Sequence, residues 1–394
     1  MTSGRVLISG ASIAGPTLAY WLARGGWDVT ILERAETLRT GGQNIDVRGA
    51  GREVARRMGL EPAIRACTTG EVGTQFLDRA GRAVASFPAG TDDSGGATAE
   101  LEILRGELSR LLFEATRDDV RYRFGTSVTS IDDRDRAALV ATDDGTEAEY
   151  DVVVIAEGMR SRTRRLAFPG VSPVVYKGMY TAYATIPRID SDIDWWRWYS
   201  ATGGRSITLR PDNLGTTRAT LSFPDREPEL DRQNDGAVRA LLHRVFNDAG
   251  WQARRVLDEI DRDADLYFDH VGQVKLDAWH RGRTVLVGDA AYCASPLSGM
   301  GTSLALTGAY VLAGELNTGS GVEGAFAAYE ALMRPYVDKA QDLPPGTPRL
   351  ANPRTRLGIA AFHTVLRAAG TAAGRRITSG LFRPPADQME LPMY

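Results

Sequence analysis

The stretch from Arg5 to Glu33 constrains this chain more than any other. It begins with an apolar run, Arg5-Val-Leu-Ile-Ser9, that reads as a buried strand. Gly10-Ala-Ser-Ile-Ala-Gly15 follows as a glycine-marked turn. A helix is predicted from that turn to Arg24, with Ala14, Leu18 and Leu22 on one stripe, and Gly25-Gly26 stops it. Residues 29–33 form a second strand-like run that ends in Glu33. Strand, helix and strand within about 30 residues make a βαβ unit, whose crossover implies a parallel pair.

The turn nearly matches the dinucleotide fingerprint G-x-G-x-x-G, with Ser12 in place of the middle glycine. Gly10 permits the tight turn, and Gly15 lets the helix pack closely on the strand. Ile13 and Ala14 stand at a helix start whose free N–H groups suit a pyrophosphate. Glu33 lies 23 positions after Gly10. A carboxylate there accepts hydrogen bonds from a ribose diol and repels a 2′-phosphate, so FAD or NAD is expected in this site rather than NADP. Arg34, next in the chain, is counted among the contacts. The turn also shares four of the five positions of the nucleophile elbow G-x-S-x-G. Ala14 replaces the last glycine, however, and the first strand is an unusual place for a hydrolase nucleophile.

At 394 residues the chain is long for one core, and two domains are expected. Hydrophobic residues at 43% and charged residues at 25% are ordinary for a globular protein. A net charge of −3 gives no electrostatic case for nucleic acid or an anionic membrane. No apolar run approaches the ~20 residues that span a bilayer, and no apolar leader precedes the first strand. The two cysteines, Cys67 and Cys293, make no disulfide framework, which fits a reducing cytoplasm.

Two more buried-strand runs lie downstream, at residues 151–156 and 283–288; each ends in a small residue, an acidic one and a turn. Ligands of open α/β sheets bind outside the carboxyl ends of such strands, so these loops are expected to converge on one crevice. Residues 174–224 alternate polar and apolar positions instead, the period of antiparallel strands with one covered face. Residues 231–249 look helical. A proline-rich stretch, 343–353, precedes a basic amphipathic pattern at 354–379 that is read as a helix. The fold class expected is α/β: a Rossmann-like parallel-sheet domain interrupted by an antiparallel β-sheet domain, with a C-terminal helix.

The most specific motif is Gly288-Asp-Ala-Ala-Tyr-Cys-Ala-Ser-Pro-Leu-Ser-Gly-Met-Gly-Thr-Ser303. It places Asp289 at a strand end, then Pro296 and glycines 299 and 301 ahead of an apolar helix. This resembles the pattern G-D-A-A-H-x-x-P-P-x-x-G-x-G of the FAD-dependent aromatic hydroxylases, the class A flavoprotein monooxygenases. Here Tyr292 stands for the histidine and Ser295 for the first proline. Residues 156–164, Ala-Glu-Gly-Met-Arg-Ser-Arg-Thr-Arg, are similar to that family's D-G-x-x-S-x-x-R segment, with Glu157 for the aspartate. Arg105 matches its arginine at a helix start. Gly41-Gly-Gln-Asn-Ile-Asp-Val-Arg48 further resembles the tetracycline-inactivating flavin monooxygenases and their actinobacterial relatives.

The resemblance implies specific roles. Asp289 would bind the ribityl chain of FAD, and Pro296 with Gly299, Met300 and Gly301 would flank the flavin. Arg105, Asp46, Arg48, Glu157 and Gly158 would touch the cofactor as well. The FAD-binding domain would comprise residues 1–72, 97–172 and 271–342, the substrate domain 73–96 and 173–270, and the C-terminal loop and helix 343–394. The implied activity is insertion of one oxygen atom from O2 into an aromatic or polycyclic small molecule of polyketide or tetracycline type, through a flavin C4a-hydroperoxide. NAD(P)H, with NADPH favoured, would reduce the flavin as a transient visitor, because only one complete dinucleotide fingerprint exists. Arg39, Arg48 and Arg160 are candidates to meet its phosphates.

Flavin carries such chemistry, so no catalytic side chain and no metal is expected; histidines 243, 270, 280 and 363 are scattered. Trp196 and Trp198, alternate members of an aromatic run, are candidates to wall a pocket for a flat substrate, against ordinary strand packing. A monomer or weak homodimer is expected. A flavin dehydrogenase or reductase, a Baeyer–Villiger oxygenase, and a non-catalytic flavin-containing ligand-binding protein are the alternatives.

Overall fold

The opening βαβ unit forms as β1 (Arg5–Ser9), α1 (Ala14–Arg24) and β2 (Asp28–Glu33). The computed structural model describes residues 4–39, 41–89, 101–225, 234–262, 265–342, 351–371 and 389–394. β1 lies inside a six-stranded sheet ordered His280–Arg281, Thr284–Leu286, Val152–Ile155, β1, β2, Arg121–Phe124. All its pairs are parallel except the short hairpin that adds His280–Arg281.

The strands of this sheet read as unbroken apolar runs because both faces are covered. On one side Val6, Ile8, Val152 and Val154 pack with α1 and with the helices Gly301–Asn317 and Val322–Gln341. On the other, Leu7, Leu32 and Val153 meet Val128, Ala138, Val140 and Tyr150 of a three-stranded sheet, Val128–Asp133, Ala138–Thr142 and Glu147–Tyr150. Each such fully buried aliphatic side chain contributes about 1.5–3 kcal/mol. The small sheet had no distinct sequence signal.

A second, seven-stranded sheet runs Leu266–Val274, Val174–Pro187, Thr216–Pro224, Arg205–Pro211, Trp196–Ala201, Gly73–Leu77, Ala83–Pro88. It is antiparallel apart from the pairing of Trp196–Ala201 with Gly73–Leu77. One face is apolar: Tyr180, Ala182, Ile186, Ile207, Leu221 and Phe223 pack on the helices Asp235–Phe246 and Ala253–Asp261. The alternate positions, in register across the strands, put Thr181, Tyr183, Thr208, Arg210, Thr220, Trp196 and Trp198 on the opposite face.

The expected α/β class therefore holds, with corrections of extent. The helix expected over 231–249 is Asp235–Phe246, with 231–233 outside the described residues, and a second helix follows it. The C-terminal helix is Arg356–Ala369 and ends at Gly370; residues 372–379 lie outside the described residues, as do 90–96 and the proline-rich 343–350. Phe362 of that helix packs edge-on against Phe76 of the seven-stranded sheet. No described helix is long and apolar enough to cross a membrane.

Close packing of α1 on β1 sets the geometry. A Cβ at residue 15 would collide with the Gly10 carbonyl oxygen and lie 3.3 Å from Ile8 Cγ2. Gly15→Ala is therefore expected to lose more than about 3 kcal/mol of stability or to fail to fold, as severe overpacking does. At exposed helical Gly324 a Cβ would meet nothing closer than Ser320 Cβ at 3.5 Å, so Gly324→Ala is expected to gain up to about 1 kcal/mol. Urea unfolding of both variants measures the difference.

Candidate functional site

The carboxyl ends of four parallel strands bring the sequence motifs into one place. Gly10 follows β1 with φ +116°, and a Cβ there would lie 2.6 Å from the Ala156 carbonyl oxygen at the next strand end. Gly288, beyond Thr284–Leu286, would place a Cβ 3.1 Å from that of Ala14. These close approaches leave room for backbone and small side chains alone.

α1 begins at this point without a side-chain cap on Ile13 and with no acidic residue in its first turn. Its free N–H groups and positive dipole end suit an anion. Glu33 lies beside them: its carboxylate accepts from the Ala11 N–H at 3.1 Å and the Ala35 N–H at 3.0 Å, so it is fixed at the end of β2. Neighbouring Arg34 is exposed. Arg105 starts the helix Arg105–Glu114, remote in sequence, and donates to Ser12 Oγ at 3.0 Å. Ser12 thus gives the loop a polar tie to Arg105, which a glycine would lack.

Asp289 opens the loop on the other side. It is exposed, yet the protein crowding round its carboxyl raises its pKa, with Arg105 opposing. The chain then turns through Ser295 (φ +82°), Pro296 and Gly299 (φ +64°), and Met300 is buried. Gly301 begins a 17-residue helix that also lacks a side-chain cap and an acidic first turn. Two uncapped helix starts therefore face this region. The Cys293 thiol, buried beside Asp289, is pushed well up by burial and is a poor nucleophile.

Asp46 and Arg48 form an ion pair at 2.6 Å, and the Arg48 carbonyl accepts from Ser303 Oγ at 2.9 Å. Burial raises the Asp46 carboxyl, while Arg48 opposes the rise. The Arg48 Nε is buried without a hydrogen-bond partner.

The charged residues of these motifs have partners within the protein. Arg160 does not stand free for a phosphate; it pairs through two nitrogens with Asp269 of the seven-stranded sheet, and Arg48 is held by Asp46. Of the three arginines considered, Arg48 is buried, while Arg160 and Arg39, the latter 3.8 Å from Glu33, are exposed. The Glu157 carboxylate is engaged within the protein. It accepts from Ser9 Oγ at 2.5 Å, Ser161 Oγ at 2.7 Å and the Thr163 N–H at 3.0 Å, and also from Thr163 Oγ1. The next residue, Gly158 (φ +84°), has open space around it. Arg164, the last residue of the same motif, is buried and donates to the carbonyls of Ala290 and Met159 at 2.8 and 2.7 Å. It ties this loop to the one carrying Asp289, a role that the S-x-x-R spacing marks without explaining.

Trp196 and Trp198 are half-buried, with ring centroids 5.2 Å apart; Trp198 stacks on Phe76 at 5.8 Å. Their face of the sheet is the one that meets the nucleotide-side elements, through Asp269–Arg160 and through Asn44, which donates to the Pro211 carbonyl at 3.0 Å. Among the described residues, no group of three His, Cys, Asp or Glu is placed to hold a metal ion.

Comparison with known proteins agrees with this geometry. The family model for the FAD binding domain matches residues 3–343. The chain belongs to this family of flavin-dependent monooxygenases. It is 37% identical to the FAD-dependent monooxygenase asL4 of Sarocladium schorii, over 92% of this chain and 91% of that one. It is 35% identical to the flavin-dependent monooxygenase eupH of a Phoma species, over 100% and 98%. Among solved structures, the tetracycline destructase Tet(51) superimposes with a TM-score of 0.81 at 30% identity, covering 100% of this chain and 99% of that one.

Within this family member, Glu157 makes a distinct pH prediction. Burial alone would raise its pKa, but the hydrogen bonds from Ser9, Thr163 and Ser161 together hold it below the ordinary 4.5. Its stabilising effect is thus present above pH 4.5 and lost as pH falls through the lower folded value. Glu157→Gln is expected to cost about 1–3 kcal/mol at pH 7, since charged acceptors give the stronger bonds. The gap from the parent should narrow as pH falls below 4.5 in denaturant titrations.

Proposed function

We propose that this enzyme uses FAD and NAD(P)H, with NADPH favoured, to insert one oxygen atom from O2 into an aromatic or polycyclic substrate of polyketide or tetracycline type. The observation that carries the reading is the meeting of Glu33, the uncapped start of α1, the Arg105–Ser12 tie and Asp289 at the carboxyl ends of adjoining parallel strands. These groups fit an extended dinucleotide. Glu33 would take the adenosine ribose, the α1 N-terminus and Arg105 the pyrophosphate region, and Asp289 the ribityl hydroxyls. Gly299, Met300 and Gly301 would border the ring system, near Asp46 and Arg48.

Bound FAD would supply the redox chemistry: reduction by NAD(P)H and transfer of one atom of O2 to substrate, with the other leaving as water. The chain's part is orientation and water exclusion. Glu157 with Gly158 and Arg164 would hold the loop that borders the cofactor. Trp196 and Trp198 would offer their faces to a flat ring. The tetracycline destructase likeness supports the substrate class, and the monooxygenase relatives support oxygen transfer.

The purified protein is expected to be yellow and to release intact FAD on heating, read by chromatography. With a panel of tetracyclines and aromatic polyketides, NADPH oxidation should yield a product heavier by about 16 mass units, the mass of one oxygen atom. Absence of flavin after reconstitution ends the FAD assignment. NADPH oxidation that reduces the substrate without adding oxygen mass favours a reductase instead. Asp289→Ala should lose far more FAD than Cys293→Ala, because hydrogen bonds to a charged group are worth roughly 1.5–3 kcal/mol each. Equal FAD occupancy in the two variants would remove Asp289 from the site.

A further inference from the structure

Five ionisable side chains meet where the seven-stranded sheet touches a two-stranded sheet formed by Asn44–Asp46 and Glu102–Leu104. Arg210, on the strand Arg205–Pro211, donates through Nε to Glu71 at 2.8 Å and through a terminal nitrogen to Glu102. The side chains of Glu71 and Glu102 are 0% and 3% exposed. Glu102 also accepts from Asn44 Nδ2 at 2.6 Å and Thr69 Oγ1 at 2.7 Å. Its cross-strand partner is Asp46, which holds Arg48. On its other side, the Arg210 guanidinium lies 4.2 Å from the centroid of the Trp196 ring.

This arrangement is costly as mere glue. Desolvating an ion costs several kcal/mol, and well-packed apolar residues often stabilise a junction better. Arginine is nevertheless the side chain that fits here. Its planar fork reaches two carboxylates along its edges while its face covers an indole, and a lysine ammonium, a point charge, cannot do both at once. The Trp196 Nε1 is buried without a hydrogen-bond partner. Its ring is therefore located by tilted contact with Trp198 and by the guanidinium, not by a hydrogen bond of its own.

We propose that Arg210 is a positioning residue that couples the two halves of the site. It fixes the Trp196 ring on the substrate side and, through Glu102, the Asp46–Arg48 turn on the cofactor side. The inference rests on the reading of Trp196 as part of the substrate wall and of Asp46–Arg48 as a cofactor contact.

The test uses FAD-loaded protein carrying R210K, W196F or both, each first checked for folding by circular dichroism and for FAD content. Tetracycline and 1,8-dihydroxyanthraquinone are titrated while the flavin absorbance is followed. The FAD midpoint potential is measured by reductive titration. R210K should keep FAD and raise the probe Kd about fivefold, the order of a lost cation–π contact. W196F should do the same, and the double variant should bind no worse than the weaker single, since Arg210 acts through Trp196. R210K should also shift the midpoint potential, whereas W196F should leave it unchanged. A folded R210K with an unchanged Kd or an unchanged potential overturns the coupling, as does a double variant whose effects multiply. If neither compound perturbs the parent spectrum, the substrate-class reading fails and the potential alone decides the inference. E71Q, which loosens the same guanidinium while removing a buried charge, carries the same expectations should R210K not fold.

Discussion

The close seat of α1 on β1 is the contact on which the cofactor side depends. Gly15 lies against the Gly10 carbonyl, so the helix axis approaches the sheet more nearly than any Cβ would allow. The first N–H groups of α1 are thereby set at the strand end, one turn from the Glu33 carboxylate that binds Ala11. The same economy of bulk recurs across the seam, where Gly288 faces Ala14 and Ala305. A larger residue at any of these points would push the helix outward and separate the α1 start from Glu33 and Asp289. Affinity for a phosphate falls steeply with such displacement, because the dipole effect is confined to the first turn.

The second sheet solves a different problem. Its apolar face is buried under two helices, which supplies the hydrophobic stabilisation. Its other face can then carry groups that a core would not accept. Thr181, Thr208, Arg210 and Asp269 are buried or nearly so on that side, where each polar group needs a partner. Several of those partners come from the nucleotide half: Arg160 for Asp269, and Glu102 for Arg210. The junction between halves is therefore polar and directional rather than greasy, and side chains at it are held at fixed angles. That is a property suited to aligning two ligands against one another.

The sequence disclosed the nucleotide half well and the junction poorly. β1, α1 and β2 were legible because an unbroken apolar run, a glycine turn and a terminal acid obey local rules, and the strands at 152–155 and 284–286 repeat that pattern. The alternation at 174–224 announced a half-covered sheet. The three-stranded sheet was hidden because its strands, such as Glu147–Tyr150, are short and charged, and they take their order from packing on Leu7 and Val153. Arg160 looked like a free cation because nothing local to it marks Asp269, 109 residues away, as its partner. Glu102 and Arg210, separated by 108 residues, gave no signal for the same reason. Long-range ion pairs leave no periodic trace, whereas strands and turns do.

Tyr292 shows how a departure from the family pattern is absorbed. The family pattern that this segment resembles carries a histidine where this chain has Tyr292, whose side chain is 1% exposed. Space comes from Gly308 on the following helix, where a Cβ would collide with the tyrosine oxygen. The hydroxyl, which would be costly if left unpaired, lies 3.1 Å from that of Tyr329, itself 3.0 Å from the Leu286 carbonyl. Trp279 covers the ring at 4.7 Å. Tyr292 thus belongs to a packed aromatic group behind Asp289. Its backbone N–H bonds to the Gly288 carbonyl at 3.0 Å, holding the short turn that presents Asp289. The substitution changes what supports the acid from behind, while the acid keeps its place at the strand end.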